Sequence, residues 1–125
     1  MTSMKVLIPL LSKQEDSPEF VEKATKGALE VFLVLVIDPS DLAGEFGFAA
    51  HEISKGNKMM GLVTELIGPE KAVHQIVEWG ETLSKIENLY KLKEADEICL
   101  KKQDNYWFQD IVKKLKEKDL KVKVI

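Results

Sequence analysis

Two runs in this chain have no polar face. Lys5-Val6-Leu7-Ile8-Pro9-Leu10-Leu11 and Glu30-Val31-Phe32-Leu33-Val34-Leu35-Val36-Ile37 are apolar at successive positions. A strand without alternation has no side to turn to water, so both runs predict strands inside a sheet covered by helices on both faces. Met1 to Met4 read as a short leader before the first of them. Ser12-Lys13-Gln14-Glu15-Asp16 reads as a polar loop, and Ser17-Pro18-Glu19 as a helix start, with a hydroxyl cap, a proline where no amide is needed and an acid in the first turn. Phe20, Val21, Ala24 and Ala28 then fall on one helical face.

Asp38-Pro39-Ser40-Asp41 closes the second strand. From Leu42 to Ile67 the pattern is mixed: Phe46, Ala50, Ile53, Met59, Met60, Val63, Leu66 and Ile67 keep helical spacing, while Gly44, Gly47, Gly56 and Gly61 interrupt it. This predicts a loop through about Gly47, then one long helix bent near Gly56 and stopped at Gly68-Pro69. Ala72 to Trp79 alternates, with Val73, Gln75, Val77 and Trp79 on one side and His74, Ile76 and Glu78 on the other, as an edge strand does. Thr82 to Lys93 predicts a helix with Leu83, Ile86, Leu89 and Tyr90 inward. Glu97 to Leu100 is a short strand, Asn105 to Lys118 a helix with Phe108, Ile111, Val112 and Leu115 inward, and Lys121 to Ile125 a last strand. No internal repeat or low-complexity linker breaks the series.

Five strands alternating with four helices predict a doubly wound parallel α/β sheet in one domain spanning residues 1–125, with right-handed crossovers placing helices on both faces. Ligands in such sheets bind beyond the carboxyl ends of the strands. Those ends are Leu11 to Lys13, Asp38 to Asp41, Trp79 to Glu81 and Lys101 to Asp104. The candidate pocket is therefore drawn from Leu10, Leu11, Ser12, Val36, Asp38, Trp79, Gly80 and Lys101.

Composition narrows what such a pocket can do. Among 125 residues the net charge is -3, and all 18 basic residues are lysine. Without arginine there is no planar fork to grip a phosphate or a base edge with two bonds. Residues 101–125 hold eight lysines against four acids, but that local excess is too small to favour nucleic acid as a partner. The single cysteine, Cys99, excludes an internal disulfide framework and suits a reducing cytoplasm; no secretory or membrane-spanning run is visible. A soluble, cytoplasmic protein is the expectation.

Candidate chemistry is sparse. Lys101 and Lys102 precede a helix N-terminus and could draw an anion, although a solvated pair is the simpler reading. Asp38 and Asp41 could serve as a carboxylate pair, but Asp-Pro-Ser-Asp is also an ordinary turn. His51 and His74 lie in different elements with no carboxylate at ligand spacing, so no metal site is expected. Cys99, between Ile98 and Leu100, reads as a small buried hydrophobe. Phe108 continues the inward stripe, which turns Tyr106 and Trp107 partly outward. With Lys121, Val122, Lys123 and Val124 of the last strand they form a candidate interface at the C-terminal side.

Several short stretches, in order along the chain, resemble the universal stress protein family. They are Val6-Leu7-Ile8-Pro9, Leu33 to Asp38, Val77-Glu78-Trp79-Gly80 with Ile86 six residues later, Ala95-Asp96-Glu97-Ile98 and the closing Lys121 to Ile125. The resemblance implies the strand order 3-2-1-4-5, a homodimer often built by pairing fifth strands, and, in one branch of the family, ATP bound across the first, second and fourth strand ends. Two departures set this chain against that branch. Leu11 stands where an acidic residue meets the adenine end. The glycine-rich phosphate loop after the fourth strand is missing, because no glycine follows Gly80 and Lys101-Lys102-Gln103-Asp104 stands there instead. No nucleophile and base pair is placed by motif, and a phosphoacceptor receiver domain would need clustered acids where Leu10-Leu11-Ser12 stands. The expectation is a non-enzymatic, homodimeric regulatory or scaffolding module without a cofactor. It does not bind ATP in the usual way, and an unidentified protein partner is possible. The alternative is a small-ligand or nucleotide sensor with an altered pocket.

Overall fold

The structure, a computed structural model, describes residues 4–38 and 46–125, and of residues 46–49 the backbone alone. Its elements run β1 (Met4–Pro9), α1 (Pro18–Thr25), β2 (Ala28–Ile37), α2 (Phe46–Ile67), β3 (Ala72–Trp79), α3 (Thr82–Leu92), β4 (Glu97–Leu100), α4 (Tyr106–Glu117) and β5 (Val122–Val124). All four strand pairings are parallel and the order is β3-β2-β1-β4-β5. This is the doubly wound sheet that the sequence predicts.

The lack of alternation in β1 and β2 becomes two cores. Val6, Ile8, Leu10, Val31, Leu33 and Leu35 pack with Phe20 and Val21 of α1 and Met60 and Val63 of α2. Leu7, Phe32 and Val34 point the other way and pack with Ile86 and Leu89 of α3 and Phe108, Ile111 and Leu115 of α4. Each fully buried Leu or Ile contributes roughly 1.5–3 kcal/mol, so the two central strands anchor both layers. β3 is the more exposed edge strand that its alternation predicts, with Val73 against the first core and Ile76 against the second.

Several boundaries differ from the sequence reading. Met4 belongs to β1, and that strand ends at Pro9 rather than Leu11. Ala28 is not on the α1 face; it opens β2. The helix stops at Thr25, where Gly27 takes φ +81° and Lys71 Nζ donates to the Thr25 carbonyl at the helix end (3.0 Å) and to the Ala28 carbonyl at the start of β2 (2.6 Å). Helix α2 begins at Phe46, before Gly47, and runs unbroken through Gly56 and Gly61. Its inward stripe is Gly56, Met59, Met60 and Val63, whereas Ala50 and Leu66 are exposed. Asn105 is the cap of α4, not its first residue, and its side chain accepts from the Phe108 N–H at 2.7 Å. The predicted turn over Pro39, Ser40 and Asp41 lies outside the described residues.

Candidate functional site

The carboxyl ends of the strands are built around a buried carboxylate that the sequence reading passed over as part of a polar loop. The β1 ladder carries past Pro9, with the Leu10 N–H donating to Val34 O at 2.8 Å. The chain then turns sharply, with Lys13 at φ +61°. Glu15, wholly buried, faces back into that turn and accepts from the Ser12 N–H (3.0 Å), the Ser12 hydroxyl and the Gln14 N–H (3.1 Å). A Ser followed three residues later by Glu is the spacing of a capping box, so the signal was present in Ser12-Lys13-Gln14-Glu15; here it closes a turn instead of opening a helix. Lys13 Nζ donates to Leu10 O at 2.7 Å. Burial pushes the Lys13 ammonium below its ordinary pKa, and the charges of Glu15 and Glu52 pull it partly back.

The loop from β4 to α4 is equally occupied. The Lys102 N–H donates to Ile125 O and the Ile125 N–H to Leu100 O, both at 2.9 Å, which locks the loop to the end of β5. Asn105 takes the Phe108 N–H at the start of α4, and its own side-chain amide donates to Gln103 Oε1 at 3.1 Å. A free helix N-terminus presents such N–H groups to an anion; the Phe108 N–H is already bonded. Gln103 Nε2 is buried without a partner.

The predicted pocket residues do not converge on one cavity wall. Leu10 lies in the α1/α2 core, while Leu11 and Val36 pack against the α3/α4 core. Lys101 sits over the Phe20 ring, 6.0 Å from its centroid, and lines a cavity of about 200 Å³ with Ser17, Glu19, Lys23 and Ile125. It is therefore on the opposite face of the sheet from Leu11 and Val36. Asp38 is partly buried at the end of β2. Trp79 is half exposed, and the Gly80 N–H donates to Ile37 O at 3.0 Å with φ +145°. The Lys85 chain lies over Gly80 on its way to Glu78, 3.8 Å from Nζ.

At the C-terminal side Tyr106 is 89% exposed and Trp107 45%. Lys121 and Lys123 are exposed, Val122 packs against the α3/α4 core, and Val124 lines a cavity of about 250 Å³ with Gln103, Phe108 and Val112. A second polar cluster lies at the amino ends of the strands. His74 Nε2 meets a Glu30 carboxylate oxygen at 2.8 Å, its ring stacks on Phe32 at 4.9 Å, and Lys5 Nζ lies 3.9 Å from Glu30. Glu30 and His74 are 44 residues apart in sequence and meet only through the β2–β3 register, so no local pattern announces them. Cys99 is fully buried, with Sγ 3.5 Å from Ala24 O. Among the described residues no group of three or more His, Cys, Asp or Glu side chains is placed to hold a metal ion, and no helix is long and apolar enough to cross a membrane.

Sheet order and parallel pairing define a doubly wound α/β fold, and solved structures make the class specific. The universal stress protein UspA from Lactobacillus plantarum superposes with a TM-score of 0.67 over 100% of this chain and 99% of its own, at 19% identity. A universal stress protein from Archaeoglobus fulgidus gives 0.71 over 100% and 95%, at 15% identity. The Archaeoglobus fulgidus protein in complex with dAMP gives 0.69 over 100% and 99%, at 16% identity. The chain has the universal stress protein fold. No protein-family model and no curated protein matches the sequence.

Proposed function

We propose that this chain is a divergent universal stress-type module, non-enzymatic and dimeric, that regulates or scaffolds through its surface rather than by turning over a nucleotide. The observation that carries this reading is Glu15. At the end of β1 its buried carboxylate takes two backbone N–H groups and a hydroxyl. The Ser12 and Gln14 amides are therefore spent inside the chain, at the strand end where the family's ATP-binding branch meets the adenine. The β4–α4 loop adds to it, since it has no glycine to bring backbone close to a ligand. The dimer contact in this reading lies at the C-terminal side, through Lys121 to Val124 with Tyr106 and Trp107 beside it. A second reading, a nucleotide sensor with a rebuilt pocket, draws on the dAMP complex of the Archaeoglobus fulgidus protein and would use Lys101 as its cation.

Native mass spectrometry of protein purified without added nucleotide separates the two. The module reading expects a dimer at twice the bare chain mass. A monomer at micromolar concentration contradicts its oligomeric part, and a retained nucleotide mass favours the sensor.

A further inference from the structure

The two edges of the sheet are protected very differently. β5 spans three residues, with exposed lysines at 121 and 123. β3 spans eight residues, pairs with β2 at every position without a register shift, and contains no lysine and no proline. A long, regular edge without lysine, proline or a bulge is a template for another strand, and soluble proteins ordinarily blunt such edges. Exposed apolar side chains cluster at its carboxyl end, Val77 at 37% and Trp79 at 50% exposure.

The sequence of β3 also reads against itself. In an antiparallel pair related by a two-fold axis through Ile76, residue numbers in opposed positions sum to 152. His74 then faces Glu78 of the second copy, twice over. Ile76 faces Ile76, Gln75 faces Val77, and Val73 faces Trp79. Each opposed pair is within contact distance in such a ladder, and an imidazole placed across from a carboxylate can hydrogen-bond to it. His74 and Glu78 each keep a partner in their own chain, Glu30 at 2.8 Å and Lys85 at 3.8 Å, so both side chains are already held in place before pairing. We propose that the β3 edge is a self-association surface, on which a second copy of this chain adds its own β3 antiparallel in the register centred on Ile76. The occupant is a second copy because this axis alone sets the imidazole of one β3 opposite the carboxylate of the other, with Ile76 on itself and Val73 on Trp79. This contact is separate from the C-terminal one proposed above, and a chain using both would assemble beyond a dimer.

The test places a cysteine on the axis. Cys99 is buried and burial pushes its thiol up to about 12, so it stays out of the reaction. Under mild oxidation, Ile76→Cys should form a disulfide between copies, with a cross-linked fraction roughly tenfold above that of Lys113→Cys, an exposed control on α4. Gln75→Cys combined with Val77→Cys should cross-link in the same register and guards against Ile76→Cys failing to fold. Adding Val77→Lys to Ile76→Cys should return cross-linking to the Lys113→Cys level, while adding Val124→Lys should leave it unchanged. Cross-linking no greater than the control in both cysteine variants, or its loss with Val124→Lys rather than Val77→Lys, would overturn the proposal. Those outcomes leave the C-terminal dimer standing; dissociation of the unmodified protein by Val124→Lys alone reports on that contact separately.

Discussion

Glu15 and Cys99 show how much a single side chain can mean once burial is known. Glu15→Ala removes the acceptor for two backbone amides and one hydroxyl in a site closed to water. The expected loss is about 2–4 kcal/mol in urea unfolding, with Glu15→Gln losing about half of that because one acceptor remains. A loss below about 0.5 kcal/mol for the alanine variant would mean that the turn does not depend on the carboxylate. Cys99 is held protonated first by burial and then by Glu97, so that its pKa rises from the ordinary 9.0 to about 12. A raised folded-state pKa gives stability that is complete below the unfolded value and is lost as pH climbs toward the folded one. The Cys99 contribution should therefore be constant up to pH 9 and fall between pH 9 and about 12, a slope that Cys99→Ala removes from the unfolding profile. At pH 8 a thiol-specific disulfide reagent should modify the native protein only as fast as it opens.

Two glycines of α2 make the same argument for an element. A Cβ at position 56 would overlap the Leu35 side chain, so this glycine lets the helix lie close on β2. Gly61 has nothing within 4 Å of where its own Cβ would stand. Gly61→Ala should stabilise the protein by up to about 1 kcal/mol through helix propensity. Gly56→Ala should cost about 1–3 kcal/mol, because overpacking against β2 outweighs the same propensity gain. Thermal unfolding of the pair checks both signs together. Elements were legible where the apolar pattern was continuous or cleanly periodic. β3 and β4 fall on their predicted residues, and the Ser17-Pro18 start of α1 holds. The reading failed where tertiary contacts decided: Gly56 looked like a bend and is a close approach, and Ala28 looked helical until Lys71, from across the fold, capped the helix three residues earlier. The candidate site was less legible still. Strand ends could be placed from topology, but which face each side chain takes depends on register, and so Lys101 parted from Leu11 and Val36. Glu15 carried a local spacing signal, whereas the Glu30–His74 contact carried none.

For the whole molecule, the fold and its occupied loops pull in different directions. One solved structure that shares this fold, at 16% identity, is a dAMP complex of an Archaeoglobus fulgidus protein, whereas in this chain the Ser12 and Gln14 amides at the end of β1 are bonded to Glu15. With those amides already bonded, no nucleotide is expected at the mouth of the sheet. Calorimetric titration of the full chain with ATP, AMP and cyclic AMP tests it most directly. We expect no heat of binding at millimolar nucleotide for the unmodified protein, a ceiling of about -4 kcal/mol on any affinity. A micromolar dissociation constant that weakens at least about tenfold in Lys101→Ala would contradict the account and make the mouth of the sheet a working nucleotide site.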